Sequence, residues 1–115
     1  MKKLLESFKY ALHGIHYAFH SQRNIKIHFI VALVVFMLGI WYRISAIEWI
    51  VLLLTISMVI TGEMVNTAIE KTIDLVTEEY KVLAKISKDV AAGAVLISSI
   101  AAVAIGIIIF YNKIL

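Results

Sequence analysis

The sequence predicts an all-α integral membrane protein: an amphipathic interfacial helix followed by three membrane-crossing helices. Composition is the first reason, since 62% of the 115 residues are hydrophobic and the mean hydropathy is +0.93. A soluble domain this small buries only about 60–70% of its chain's surface, so lipid is the solvent that fits. Punctuation is the second: there is no proline and there are only five glycines, fewer breaks than strand-and-turn folds need. Third, the apolar residues gather into three long stretches that can each cross a bilayer. The length allows a single domain, 1–115. Absence of cysteine excludes disulfide and thiolate chemistry. The net charge of +3 is modest, and no nucleic-acid partner is expected.

The first element covers about 2–21. Leu4, Leu5, Phe8, Leu12, Ile15 and Phe19 recur at helical spacing, with Lys2, Lys9, His13, His16 and His20 largely on other faces. Lys2 and Lys3 open the chain as a secretion signal would, but Glu6, Lys9 and His13 interrupt any apolar core. A helix lying on the membrane is the better reading. The three histidines are spaced like a metal face, yet an exposed face lacks the buried setting and fixed further ligand that zinc wants. The first span runs over about 25–42, with His28 the one polar residue of Ile27–Tyr42. Trp41, Tyr42 and Trp49 form an aromatic belt at the far interface, around a tight polar turn from Arg43 to Glu48.

The second span, about 47–76, is compatible with lipid to Ile60 and then continues as helix out of the bilayer. Thr77 to Lys88 reads as a polar connection with room for a helical turn. The third span covers about 90–111, where Gly93, Ala94, Ala101, Ala102 and Gly106 offer small surfaces for close helix contact. Nine of the eleven basic residues flank one side of these spans, the exceptions being Arg43 and Lys113. That side is assigned to the cytoplasm, placing the N-terminus inside and the C-terminus outside. No linker, repeat or low-complexity tract is visible.

Glu63, Asn66, Glu70 and Asp74 follow at spacings of three, four and four, so on a helix they form one polar stripe. Ionisable groups at membrane depth are costly and usually face a bundle interior, where they mark function. For Asp74 the blander alternative is a solvated helix end just beyond the bilayer. Acidic and amide oxygens are hard ligands suited to Mg²⁺. One carboxylate can hold the metal while another accepts a proton from an alcohol. Lys88 and Asp89, at the mouth of the third span, are candidates for a phosphate site, Lys88 acting as a point charge. A snorkelling anchor is the plainer reading of Lys88. No GxxxxGK[ST] loop and no kinase glycine loop is present.

Glu63-Met64-Val65-Asn66-Thr67-Ala68-Ile69-Glu70 with Asp74, then Glu79-Tyr80, then Lys88-Asp89-Val90-Ala91-Ala92-Gly93-Ala94-Val95-Leu96, resembles the prokaryotic diacylglycerol kinase family. The likeness extends to Phe8-Lys9-Tyr10-Ala11. It also takes in Arg23-Asn24-Ile25-Lys26-Ile27-His28, which resembles the Gram-positive branch that phosphorylates undecaprenol. The resemblance implies a homotrimeric kinase of the bacterial cell membrane, with active sites between subunits near the cytoplasmic face. Mg-ATP would enter from the cytoplasm and the lipid alcohol from the bilayer. Glu63 would be the general base and Glu70 a metal ligand. The ATP-binding set would comprise Tyr10, Gln22, Glu70, Glu79, Tyr80, Lys81, Lys88 and Asp89, with Asn66, Asp74 and Ala92 supporting the substrate site. Lys81 stands where the family often has histidine. Gln22 stands in Ser21-Gln22-Arg23-Asn24 where the family usually has a metal-binding glutamate; its amide oxygen can still ligate Mg²⁺, but without charge.

The reaction implied is transfer of the γ-phosphoryl group to undecaprenol, with diacylglycerol as the alternative acceptor; the spans do not separate the two lipids by physics. A different class is an oligomeric ion or proton pathway lined by the acidic stripe. That reading has no use for the Asn66 amide or for Lys88 and Asp89. A non-catalytic assembly subunit is a third possibility, recognisable by tolerance to change at Glu63 and Glu70.

Overall fold

The computed structural model describes all 115 residues as four α-helices without strands: α1 (Lys2–Ser21), α2 (Arg23–Trp41), α3 (Ala46–Val76) and α4 (Val82–Ile114). Three of them, α2, α3 and α4, are long and apolar enough to cross a membrane. The expected all-α architecture with three spans is therefore borne out.

A single residue separates α1 from α2. Gln22 adopts extended backbone (φ −115, ψ 118). Its N–H closes α1 on the Ala18 carbonyl at 3.1 Å, and its own carbonyl accepts from Lys26 N–H at 3.4 Å to open α2. The backbone at the corner is thus satisfied without proline or glycine. Phe19 and Phe29 meet edge to face across it, with ring centroids 5.2 Å apart.

The far turn is more tightly specified. After Trp41, Arg43 N–H reaches the Ile40 carbonyl (3.3 Å) and Ile44 N–H reaches Gly39 (3.2 Å), the paired bonds of a Schellman ending. Arg43 holds the left-handed position that glycine usually fills, at φ 51. Ser45 then caps α3: Glu48 N–H donates to Ser45 Oγ (3.2 Å) and Ser45 N–H to Glu48 Oε1 (3.0 Å). Lys113 Nζ donates to Glu48 Oε2 at 2.9 Å, tying the start of α3 to the end of α4. Ile44, Leu52, Ile109 and Phe110 form the buried cluster at this end, flanked by Trp49 and Leu38. Glu48 belongs to the first turn of α3 rather than to the polar turn expected from Arg43 to Glu48.

With a rise of 1.5 Å per residue, α2 is about 28 Å long, while α3 and α4 reach roughly 46 and 50 Å. Helix α2 just spans a hydrocarbon core of about 30 Å. The two longer helices outrun it, so their ends stand beyond hydrocarbon. Helix α4 packs chiefly along α3, and α2 packs on α3 less extensively. The connection between α3 and α4 is shorter than the polar stretch expected over 77–88, because helix resumes at Val82 with Lys81 as its cap. Nothing in Leu83-Ala84-Lys85-Ile86-Ser87-Lys88 breaks a helix; its charge, not its backbone preference, makes it look like a loop.

Only 12 of the 115 residues are buried, so most of the apolar surface of the span-capable helices faces outward from the chain. Gly93 and Gly106 have open space where a Cβ would stand, so within the chain they make none of the close helix contacts expected of them. Gly39 is the glycine that a close approach requires: a Cβ there would lie 2.7 Å from the Trp49 ring.

Candidate functional site

Because α3 is unbroken from Ala46 to Val76, Glu63, Asn66, Glu70 and Asp74 share one helix face over about 16 Å. The surroundings change along that stripe. Glu63 is the deepest group, with 5% of its side chain exposed, and its Oε1 lies 3.0 Å from His28 Nε2 on α2. Where the carboxylate is ionised it only accepts, and the imidazole N–H is then the donor. Thr67, also buried, donates its hydroxyl to the Glu63 carbonyl at 2.8 Å.

One turn further on, Asn66 Nδ2 donates to Glu70 Oε1 at 3.0 Å. The Asn66 Oδ1 is buried with no hydrogen-bond partner. Asn66 faces a groove of ≈ 770 Å³ between α3 and α4, walled by Gly62, Val65, Ser87, Ala91 and Ser98 among others. At the outer end of the stripe, Asp74 Oδ1 accepts from Lys88 Nζ on α4 at 2.8 Å, and the Glu70 carboxylate adds its attraction to the same ammonium. Both members of the pair are close to half exposed. Three polar contacts thus follow one another along α3, from a buried carboxylate to a half-exposed ion pair.

The structure groups the remaining candidates differently. Asp89 pairs with Lys85 one turn earlier on α4, not with Lys88. Lys81 pairs with Glu79 at 3.4 Å across the short α3–α4 connection. Tyr10, Tyr80 and Ala92 are exposed, Tyr10 on α1 and Ala92 on α4. Gln22 sits at the corner between α1 and α2, and its side chain makes no hydrogen bond within the chain.

A second cavity lies along the part of α3 that precedes Glu63. It measures ≈ 340 Å³, runs between α2, α3 and α4, and is lined mainly by apolar residues including Ile27, Val31, Leu52, Val59 and Val103. His28 stands in its wall. The imidazole that holds Glu63 therefore also meets apolar space of lipid-chain character.

The donor set is suited to a divalent cation of the Mg²⁺ kind. No three His, Asp or Glu side chains gather into a ready cage. Mg²⁺ rarely uses one; it takes one or two carboxylates and completes its shell with water and substrate phosphates. Glu70 offers a carboxylate oriented by Asn66, and the orphaned Asn66 Oδ1 beside it is a hard oxygen that lacks a partner. Those residues fit the ion.

Comparison with known proteins decides the family. The family model for prokaryotic diacylglycerol kinase matches residues 9–110. The chain belongs to the prokaryotic diacylglycerol kinase family. Among relatives of this family, the undecaprenol kinase of Bacillus subtilis is 37% identical over 98% of this chain and 92% of its own length. A diacylglycerol kinase of Synechocystis is 47% identical over 90% of this chain, which spans 59% of that longer relative. The diacylglycerol kinase of Escherichia coli is 27% identical over 88% of this chain and 83% of its own length. Membership, with three span-capable helices, makes this a membrane protein of the lipid kinase class, with ATP as co-substrate.

His28 is the residue of the candidate site that a reading of the α3 stripe alone omits. Its signal is present in the sequence, because an ionisable side chain inside an apolar span is itself a mark of function. Its placement at the start of the span gives it the look of a boundary residue. Only the packing of α2 against α3 brings it, 35 positions away in sequence, to Glu63.

Proposed function

We propose that the chain is an undecaprenol kinase, transferring the γ-phosphoryl group of Mg-ATP to the lipid hydroxyl at the cytoplasmic membrane face. The observation that carries this reading is the graded stripe on α3. A buried carboxylate is held by a histidine that lines an apolar cavity, and a metal-competent carboxylate and a lysine follow it towards the exposed end of the helix. In this reading α1 lies on the membrane surface, the N-terminus and the α3–α4 connection are cytoplasmic, and the C-terminus is outside. The protein works as a homotrimer whose subunits complete one another's sites. Exposed Tyr10, Glu79, Tyr80, Lys81, Asp89 and Ala92, with half-buried Gln22, are then available to nucleotide or to a neighbouring subunit.

Glu63 accepts the proton of the lipid hydroxyl as the lipid oxygen forms its bond to the γ-phosphorus. The bond from that phosphorus to the β,γ-bridging oxygen breaks, and ADP leaves with the electron pair. Glu63 later returns the proton to water. Glu70, with Asn66 Oδ1 and Gln22 as neutral donors, would hold Mg²⁺, which supplies charge neutralisation on the phosphates. Lys88 leaves Asp74 to meet the transferring group. An ion pair this exposed is worth only about 0–1 kcal/mol, so phosphate competes for the lysine at little cost. Positioning and charge neutralisation are most of what phosphoryl transfer asks of a protein.

The choice of undecaprenol over diacylglycerol rests on the Bacillus relative's match along nearly the full length of both chains. The test is transfer of labelled γ-phosphate from ATP to each lipid in mixed micelles. Preferential labelling of undecaprenol supports the proposal, and preferential labelling of diacylglycerol overturns it in favour of the alternative acceptor. Absence of label in any lipid alcohol overturns the kinase reading and favours an ion pathway.

A further inference from the structure

We infer that His28 is a positioning residue for the general base, fixing which oxygen of Glu63 is free to take the substrate proton. The inference rests on the kinase reading of Glu63. His28 Nε2 is the sole hydrogen-bond partner of the Glu63 carboxylate within the chain, at 3.0 Å to Oε1. With that oxygen engaged, Oε2 is the one left to accept a proton. The backbone supports the same geometry, since Thr67 bonds the Glu63 carbonyl and holds the turn that carries it. Glu63 is nearly enclosed, so it cannot take its orientation from bulk water, and a buried carboxylate without a donor would swing towards another partner. His28 is about one-quarter exposed and stands in the wall of the apolar cavity between α2, α3 and α4. The residue that orients the base therefore borders the space through which a hydrophobic alcohol can approach.

A positional error of about 1 Å in a reacting group can cost roughly a hundredfold in rate. His28→Ala should therefore lower kcat by about 10- to 100-fold, with KM for Mg-ATP changed less than about twofold. His28→Gln retains an N–H donor of similar reach and should restore at least half of the lost activity on a logarithmic scale. Combining either change with Glu63→Gln should give no loss beyond that of Glu63→Gln alone, because the base being positioned is already gone. The assay is phosphate transfer from ATP to undecaprenol and to diacylglycerol in mixed micelles, with thermal melting measured for each variant in the same detergent. Unchanged kcat in His28→Ala overturns the inference while leaving the kinase reading intact. So does a loss that Gln fails to rescue and that tracks a fall in melting temperature, which marks a purely structural bond. If the unsubstituted protein transfers no phosphate to either lipid, the kinase reading fails and the role of His28 falls with it.

Discussion

Asn66→Leu separates the proposed metal role of the stripe from its contribution to folding, because the substitution should affect the two differently. The amide does two things: Nδ2 donates to Glu70 Oε1 at 3.0 Å, and Oδ1 is buried without a partner. A hydrogen bond to an ionised group contributes about 1.5–3 kcal/mol, and an unsatisfied buried polar atom costs about 1–3 kcal/mol. Leucine, of nearly the same shape, removes both. Stability should therefore stay within about 1 kcal/mol of the original, since the two terms nearly offset. Glu70, however, loses the donor that orients it, and the site loses a neutral oxygen. Glu70 is partly exposed, which places the loss at the lower end of the range, about 1.4 kcal/mol or tenfold in apparent Mg²⁺ affinity.

Initial rates of lipid phosphorylation against free Mg²⁺, at saturating ATP, read this directly. The half-saturating Mg²⁺ concentration should rise about tenfold in Asn66→Leu. Asn66→Asp should move it the other way, because it sets a second carboxylate beside Glu70 whose repulsion a divalent cation relieves. An unchanged Mg²⁺ curve in both variants, with a melting temperature several degrees lower, would show that Asn66 serves helix packing alone.

Five further outcomes follow from the structure. Glu63→Gln should reduce turnover by about 10²- to 10⁴-fold, the usual worth of a general base, while fluorescent ATP analogues still bind; retained turnover would place the base elsewhere. Gln22→Glu should lower the Mg²⁺ needed for half-maximal rate by adding charge to the donor set, and an unaltered Mg²⁺ titration removes Gln22 from the metal site. Asp74→Asn should change stability by less than about 1 kcal/mol, since its pair with Lys88 is close to half exposed. Lys88→Met, by contrast, should lower kcat/KM for ATP at least about a hundredfold, as loss of one charge-stabilising group commonly does. Gly39→Ala should destabilise the protein by about 1–3 kcal/mol, because the new methyl would meet the Trp49 ring at 2.7 Å; an unshifted thermal midpoint would contradict that packing.

Much of the architecture is legible in the sequence because membrane helices advertise themselves by length and hydropathy. The stripe on α3 is legible for a related reason: four polar residues at helical spacing in apolar company would be costly in lipid unless their face turned inward. What escapes is whatever depends on contact between helices. Lys88 lies next to Asp89 in sequence, but on a helix adjacent residues diverge by about 100°, and Lys88 turns to Asp74 on α3 while Asp89 turns back to Lys85. The partnership of His28 with Glu63 is likewise a matter of how α2 meets α3, which no local pattern encodes. The charged segment over 82–88 shows another limit, because polarity marks solvent exposure and says little about whether the backbone is helical.

The two ends of α3 are built on different physics, and the difference suits a kinase. In lipid, apolar surface alone gives helices little reason to associate, so a fixed bundle needs close packing and polar ties. The far end has both: Gly39 against Trp49, the Schellman turn at Arg43, the Ser45–Glu48 box, and Lys113 bonded to Glu48. These lock α2, α3 and α4 at one point. Towards the site end the ties become single and increasingly exposed, ending in a lysine pair that costs little to open. A clamp at one end with loosely tied polar groups at the other lets the carboxylates keep their register on α3 while lysine and substrate exchange partners around them. Stiffening the site end to match the far end, for instance by replacing the Asp74–Lys88 pair with packed leucines, would stabilise the helix contact and remove the charge that the proposed mechanism sets against phosphate.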